Sequence, residues 1–198
     1  FASDWAFAKG VAPADAPGEA RATPSGAVVQ VVPSGPDVQG DALYEVVLST
    51  AFAAEERLWI VTPYFVPDDA LLQGITLAAR RGVDVRIIMP ERSNHPITDW
   101  ARGGYLREIQ EAGGTVLLYT GGMLHAKVLV MDEQLAMVGS ANMDMRSLFL
   151  NYEIGMLMYS AGEIDATARW VENVAATAKR GAPQVGVVRD FGESVVRM

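Results

Sequence analysis

Four short, densely apolar runs recur along this chain: Leu58–Val61, Val83–Met89, Thr115–Tyr119 and Ala126–Met131. None approaches the roughly 20 apolar residues of a membrane-spanning helix. Each is short enough to be a strand buried in a sheet. One stretch with helical spacing precedes the first run, and two more separate the first three. Asp41 to Glu56 repeats Leu43, Val46, Val47 and Phe52; a second helix is expected from Asp68 or Asp69 to about Arg80, stopped by Gly82; a third runs from about Ile97 to Glu111, ended by Gly113 and Gly114. Further strands are expected at Ala27–Val32 (ended by Pro33), Leu135–Val138 and Tyr152–Met158, with a last helix over Glu163–Lys179. Strands and helices that alternate early and a run of strands later imply an α/β fold, a mixed β-sheet flanked by helices on both faces. Residues 27–180 form that domain. Residues 1–26 read as the tail of a preceding helix and a linker rich in Pro, Ala and Gly, and 181–198 as a C-terminal tail.

Composition removes several kinds of chemistry. The chain has no cysteine, so thiolate catalysis and zinc–cysteine sites are excluded. Its two histidines, His95 and His125, make a multi-histidine metal site within one chain an unsuitable reading, and no metal or other cofactor is expected. A formal net charge of −8 argues against a broad basic surface for nucleic acid. A local cationic pocket is compatible with it.

The stretch Leu124-His125-Ala126-Lys127-Val128-Leu129-Val130-Met131-Asp132 carries the chemistry. His125 and Lys127 are two apart at the expected start of a strand, which places both side chains on one face. An imidazole there can attack phosphorus or move a proton, and an ammonium beside it can neutralise non-bridging oxygens. Lysine is scarce, with only Lys9, Lys127 and Lys179. With two His, three Lys and twelve Asp, composition alone yields this spacing about once in five hundred such chains. The plainer reading is a core strand with an incidental histidine. Asp132 completes the pattern and is counted with the catalytic set, although alternation points it away from Lys127 and favours a turn or a structural ion pair.

The next segment, Gly139-Ser140-Ala141-Asn142-Met143-Asp144-Met145-Arg146-Ser147, offers donors for phosphate. Gly139 permits close backbone approach to a ligand. Ser140 and Asn142 supply a hydroxyl and an amide, or one of them caps a helix. Asn151 and Glu153 share a strand face, where Glu153 either orients the imidazole or makes an ordinary ion pair. Tyr64 and Phe65 follow a strand's C-terminal end, where α/β sheets bind ligands. Either could touch substrate, and packing is the plainer role, above all for Phe65. His95 is expected at the surface of a strand-to-helix loop, with a place on the rim of the site as the alternative.

These motifs resemble the phospholipase D superfamily, whose signature is His-x-Lys-x-x-x-x-Asp followed by Gly-Ser-x-Asn. Val32–Asp37, Thr62–Asp68, Asn142–Ser147 and Asn151–Glu153 bring the resemblance closer to the cardiolipin synthase branch, over roughly 28–160 and in the family's order. By that resemblance His125, Lys127, Asp132 and Glu153 are catalytic, Ser140 and Asn142 bind the phosphate, and Tyr64 contacts substrate. The reaction implied condenses two phosphatidylglycerols to cardiolipin and glycerol through a phosphatidyl-histidine, without a metal or other cofactor. Family members carry two such motifs and this chain has one. It would therefore supply half a site, completed by a missing N-terminal half or a second copy. The implied parent acts at a bacterial cytoplasmic membrane on phospholipid, with no nucleic acid partner, and this portion would be soluble. The alternatives are a lipid hydrolase or nuclease of the same superfamily, or a half-domain without activity of its own.

Overall fold

The computed structural model describes Gly10, residues 26–38 and residues 40–182. The helix expected at the N-terminus, nearly all of the linker and most of the C-terminal tail lie outside those residues. The elements are β1 (Val29–Ser34), α1 (Ala42–Ala53), β2 (Arg57–Val61), β3 (Phe65–Val66), α2 (Asp69–Arg80), β4 (Asp84–Pro90), α3 (Pro96–Glu111) and β5 (Thr115–Tyr119). They continue as β6 (Val128–Met131), β7 (Leu135–Gly139), β8 (Met143–Asp144), α4 (Met145–Phe149), β9 (Glu153–Met158), α5 (Ala161–Ala176) and β10 (Ala178–Arg180).

Eight strands form one sheet in the order β1-β9-β7-β6-β2-β4-β5-β10. β2, β4 and β5 run parallel, and every other neighbouring pair is antiparallel, so the sheet is mixed as expected. Successive side chains of one strand enter opposite layers. Leu58 and Ile60 join α1, α2 and α3 in one core, while Trp59 and Val61 join Ile164, Ala168 and Val171 of α5 in the other. Burial on both faces explains why these strands are nearly all apolar. Each fully buried aliphatic side chain, such as Ile60 or Ile87, stabilises the fold by about 1.5–3 kcal/mol.

Several boundaries differ from the sequence reading. β1 runs through Pro33 to Ser34, because an edge strand has an outer side where a missing N–H costs no ladder bond. The last helix ends at Ala176, and the residues after Thr177 pair with β5 as β10. The short helix α4 and the two-stranded sheet β3–β8 were not anticipated, being too short to show a period. Asp68, one of the two expected caps of α2, accepts the Leu71 N–H at 3.1 Å.

Register sets the location of the site. Val128 pairs with Val61, and Val138 with Val128 in turn. Gly139 then pairs with Gly155. The C-terminal end of β2, the start of β6, the end of β7 and the start of β9 therefore lie at one edge of the sheet. The loops after β4 and β5 open at that same edge.

Candidate active site

His125 and Lys127 precede β6, which begins at Val128 and not at Ala126. Their side chains nonetheless meet. Lys127 Nζ lies 3.1 Å from His125 Nδ1, 3.2 Å from Nε2 and 3.1 Å from the His125 carbonyl oxygen, to which it donates. An ammonium accepts nothing, so a ring nitrogen that meets it presents a lone pair. His125 is exposed and Lys127 is only 8% exposed. The imidazole is thus open to an incoming group, with its cation held beneath.

Burial pushes the Lys127 pKa below the usual 10.5, opposed by the charges of Glu153 and Asp144. The ammonium is therefore lost more readily in the folded chain than in the unfolded one. Below the lowered pKa the buried charge costs stability, and that cost is relieved as pH rises from it toward 10.5. A bound phosphate compensates the charge only while the ammonium exists. The affinity for inorganic phosphate, followed by NMR, is expected to fall as pH rises through the alkaline range below 10.5. Lys127→Arg removes that decline while keeping binding. A flat profile in the wild-type chain would show that Lys127 does not face the anion.

Tyr64, on the loop between β2 and β3, stands between the two histidines. Its ring centroid is 6.4 Å from that of His125 and 5.3 Å from that of His95, edge-on to both. Its hydroxyl donates to Asn94 Oδ1, and burial raises its pKa. Phe65 is fully buried, as packing required.

His95 is exposed as expected, and it also rims the cleft. It occupies the position before α3 without a side-chain capping bond, which leaves its ring free to face Tyr64. The loop is held from below by α3. Asp99 Oδ2 accepts the Ser93 N–H at 2.8 Å, and Arg102 is paired to Asp99 at 3.0 Å while donating to the Glu91 carbonyl at 2.7 Å. The available signal was positional: His95 follows a strand's C-terminal end, as Tyr64 does.

The 139–153 segment arrives by a different logic from the one expected. A Cβ on Gly139 would lie 2.3 Å from the Ile154 carbonyl oxygen, so glycine is required there for strand β9, not for a ligand. Ser140 Oγ accepts the Ile154 N–H at 3.0 Å and stitches the same junction. Neither Ser140 nor Asn142 caps α4. That cap is Asp144, which accepts the Ser147 N–H at 2.8 Å. Asn142 donates through Nδ2 to Ser147 Oγ at 3.0 Å, and its Oδ1 is buried without a partner among the described residues. Thr62 Oγ1 accepts the Met143 N–H at 3.3 Å, and Phe65 pairs with Met143, which ties this segment to the Tyr64 loop. Glu153 accepts Asn151 Nδ2 at 3.4 Å and makes no hydrogen bond to His125.

Asp132 is set apart from this group. It lies at the opposite end of β6, beyond Met131, with φ of +48°. Its carboxylate accepts the backbone N–H groups of Glu55, Glu56 and Arg57 at 3.1, 2.8 and 2.8 Å. The turn expected there exists, and its carboxylate clamps the connection from α1 to β2. A direct catalytic role for Asp132 does not fit this geometry, because β6 separates it from His125.

Beside Tyr64 and His95 a cavity of about 430 Å³ opens, lined also by Thr98, Asn142, Asp144, Arg146, Ser147 and Asn151. The structure therefore sets His125 and Lys127 on one side of Tyr64 and the cavity with His95 and Asn142 on another, with Glu153 close enough to influence Lys127.

Comparison with known proteins identifies the family and the fold. The family model described as "Cardiolipin synthase, PLD-like domain" matches residues 47–175. Among curated relatives, cardiolipin synthase A of Klebsiella pneumoniae is 38% identical over 166 residues, and that of Yersinia pseudotuberculosis 39%. Each alignment covers 82% of this chain and 34% of the relative, so the chain spans about a third of their length. Among solved structures, the phospholipase D family member Nuc of Salmonella typhimurium superposes with a TM-score of 0.68 at 20% identity, covering 79% of this chain and 99% of Nuc. Phosphatidylserine synthase of Haemophilus influenzae superposes at 0.67 and 18% identity, covering 88% and 48%. At that identity both speak to the fold.

Proposed function

Because this chain belongs to the cardiolipin synthase, phospholipase D-like domain family, we propose that it supplies one half of a phosphatidyltransferase site at which two phosphatidylglycerols become cardiolipin and glycerol. The observation that carries the reading is the exposed His125 imidazole seated on the buried Lys127 ammonium. One imidazole of the complete site attacks phosphorus, a phosphorus–nitrogen bond forms, and the glycerol oxygen leaves with a proton from the other imidazole. The hydroxyl of a second phosphatidylglycerol then attacks the same phosphorus. Its proton goes to the second imidazole, and the phosphorus–nitrogen bond breaks. Lys127 offsets the charge on the non-bridging oxygens throughout, and Asn142 adds an amide donor. Glu153 acts through its field on Lys127 and the imidazole, and Ser140 through the strand junction it stitches. Tyr64 gives the headgroup an aromatic wall.

His125 is one imidazole. The second comes from the rest of a longer parent or from a second copy of this chain, a reading supported by the third of the relatives' length that the chain spans. We place that parent at a bacterial cytoplasmic membrane, where its phospholipid substrates are; among the described residues no helix is long and apolar enough to cross one.

The direct test incubates the chain with phosphatidylglycerol vesicles and follows cardiolipin and free glycerol by mass spectrometry. Both products are expected in equal amounts. Phosphatidic acid in place of cardiolipin would make the protein a hydrolase. With no product, the assay is repeated with the parent's remaining length restored, and silence there too would overturn the transferase reading.

A further inference from the structure

The cavity next to Tyr64 contains groups for which the chemistry at His125 has no use. Arg146 lines it and is exposed, and its guanidinium makes no hydrogen bond or ion pair among the described residues. Thr98, Ser147, Asn151 and His95 line the same cavity. Asp144 is its carboxylate, and one of that residue's oxygens is committed to the Ser147 N–H. Tyr64 is a shared wall: the cavity lies against it, and its ring also approaches His125 at 6.4 Å.

The stoichiometry of the proposed reaction requires a second anion site. Its product carries two phosphodiesters separated by one glycerol. A transferase whose acceptor is itself a phospholipid must hold the acceptor's phosphate one glycerol away from the phosphorus under attack. A hydrolase has no such need.

Resting on the transferase reading, we infer that this cavity is the acceptor subsite. Arg146, with His95 lining the same cavity, holds the acceptor's phosphate. Asp144 and Asn151 take the central hydroxyl of the glycerol headgroup, leaving the terminal one to attack, and a carboxylate and an amide accept it where a bare anion would be repelled. A guanidinium suits the task, since its planar fork matches phosphate oxygens in pairs. Arg146 is thereby a specificity-determining residue: it selects a phosphorylated acceptor over a neutral alcohol.

The test has a binding arm that needs no turnover. The chain is titrated with glycerol 3-phosphate, and separately with inorganic phosphate, while amide signals are followed by NMR. Two sets of shifts are expected, one around 125–127 and one around 95–98 and 144–151. Lys127→Ala abolishes the first and spares the second. Arg146→Gln weakens the second at least tenfold and spares the first, and glycerol 3-phosphate binds there more tightly than inorganic phosphate. Unchanged binding in Arg146→Gln overturns the inference. So does equal affinity for the two probes, which would mark a phosphate site blind to the headgroup. Absence of the first set alone would count against phosphate binding at Lys127, a failure distinct from loss of the second set. In the vesicle assay, Arg146→Gln should lose cardiolipin at least tenfold while transfer to ethanol stays within twofold. Equal losses with both acceptors would also overturn the inference.

Discussion

His125→Ala is expected to lower cardiolipin formation by about 10³-fold or more, the scale on which nucleophiles and general acid–base groups act. The effect is the same in direction whether His125 is the attacking imidazole or its acid–base partner, because both steps of the transfer need both groups. Stability should hardly change. His125 is exposed, and substitutions at such positions usually stay within about 0.5 kcal/mol. The measurement is the initial rate with phosphatidylglycerol vesicles beside a thermal unfolding curve. Quenching in alkali during turnover and mapping the peptides adds the chemical species: a phosphatidyl adduct on a histidine in wild type, none in the variant. A variant that keeps its rate within tenfold would remove His125 from the chemistry.

Asp132→Ala is expected to do the reverse, costing stability and sparing chemistry. The carboxylate satisfies three backbone N–H groups, and its own backbone nitrogen donates to the Arg57 carbonyl at 3.0 Å. Alanine leaves those donors unpaired at a half-buried turn and must adopt a left-handed φ that favours Asp, Asn or Gly. A loss of about 1.5–3 kcal/mol follows from removing a carboxylate that accepts these backbone N–H groups, read as a lower urea midpoint. Asp132→Asn retains an acceptor and tolerates that φ, so it should lose less than half as much. Under conditions where each variant is folded, turnover should stay within tenfold of wild type. Full stability with abolished turnover would return Asp132 to the catalytic group.

Taken together, these two substitutions divide a motif that reads as one unit in the chain. Local spacing determined the pair at its start. Residues two apart in extended backbone lie on one side wherever the strand begins, which is why His125 and Lys127 meet although β6 starts only at Val128. The buried strands were equally legible, because a strand covered on both faces must be apolar at every position. The parallel–antiparallel mix and the flanking helices followed from the order of such runs.

Tertiary structure alone decided the rest, since it depends on which segments pair at long range. Gly139 serves the Ile154 carbonyl because β7 lies against β9. Asp132 is a clamp because the chain after α1 passes its carboxylate. Asp144 caps α4 ahead of Ser140 and Asn142 through a one-turn geometry that no periodicity reveals. Arg146 and His95 line one cavity only because the loop after β4 and the segment after β8 converge on Tyr64. A sequence records the residues available to bind a phosphate; the sheet's register brings them within reach of one.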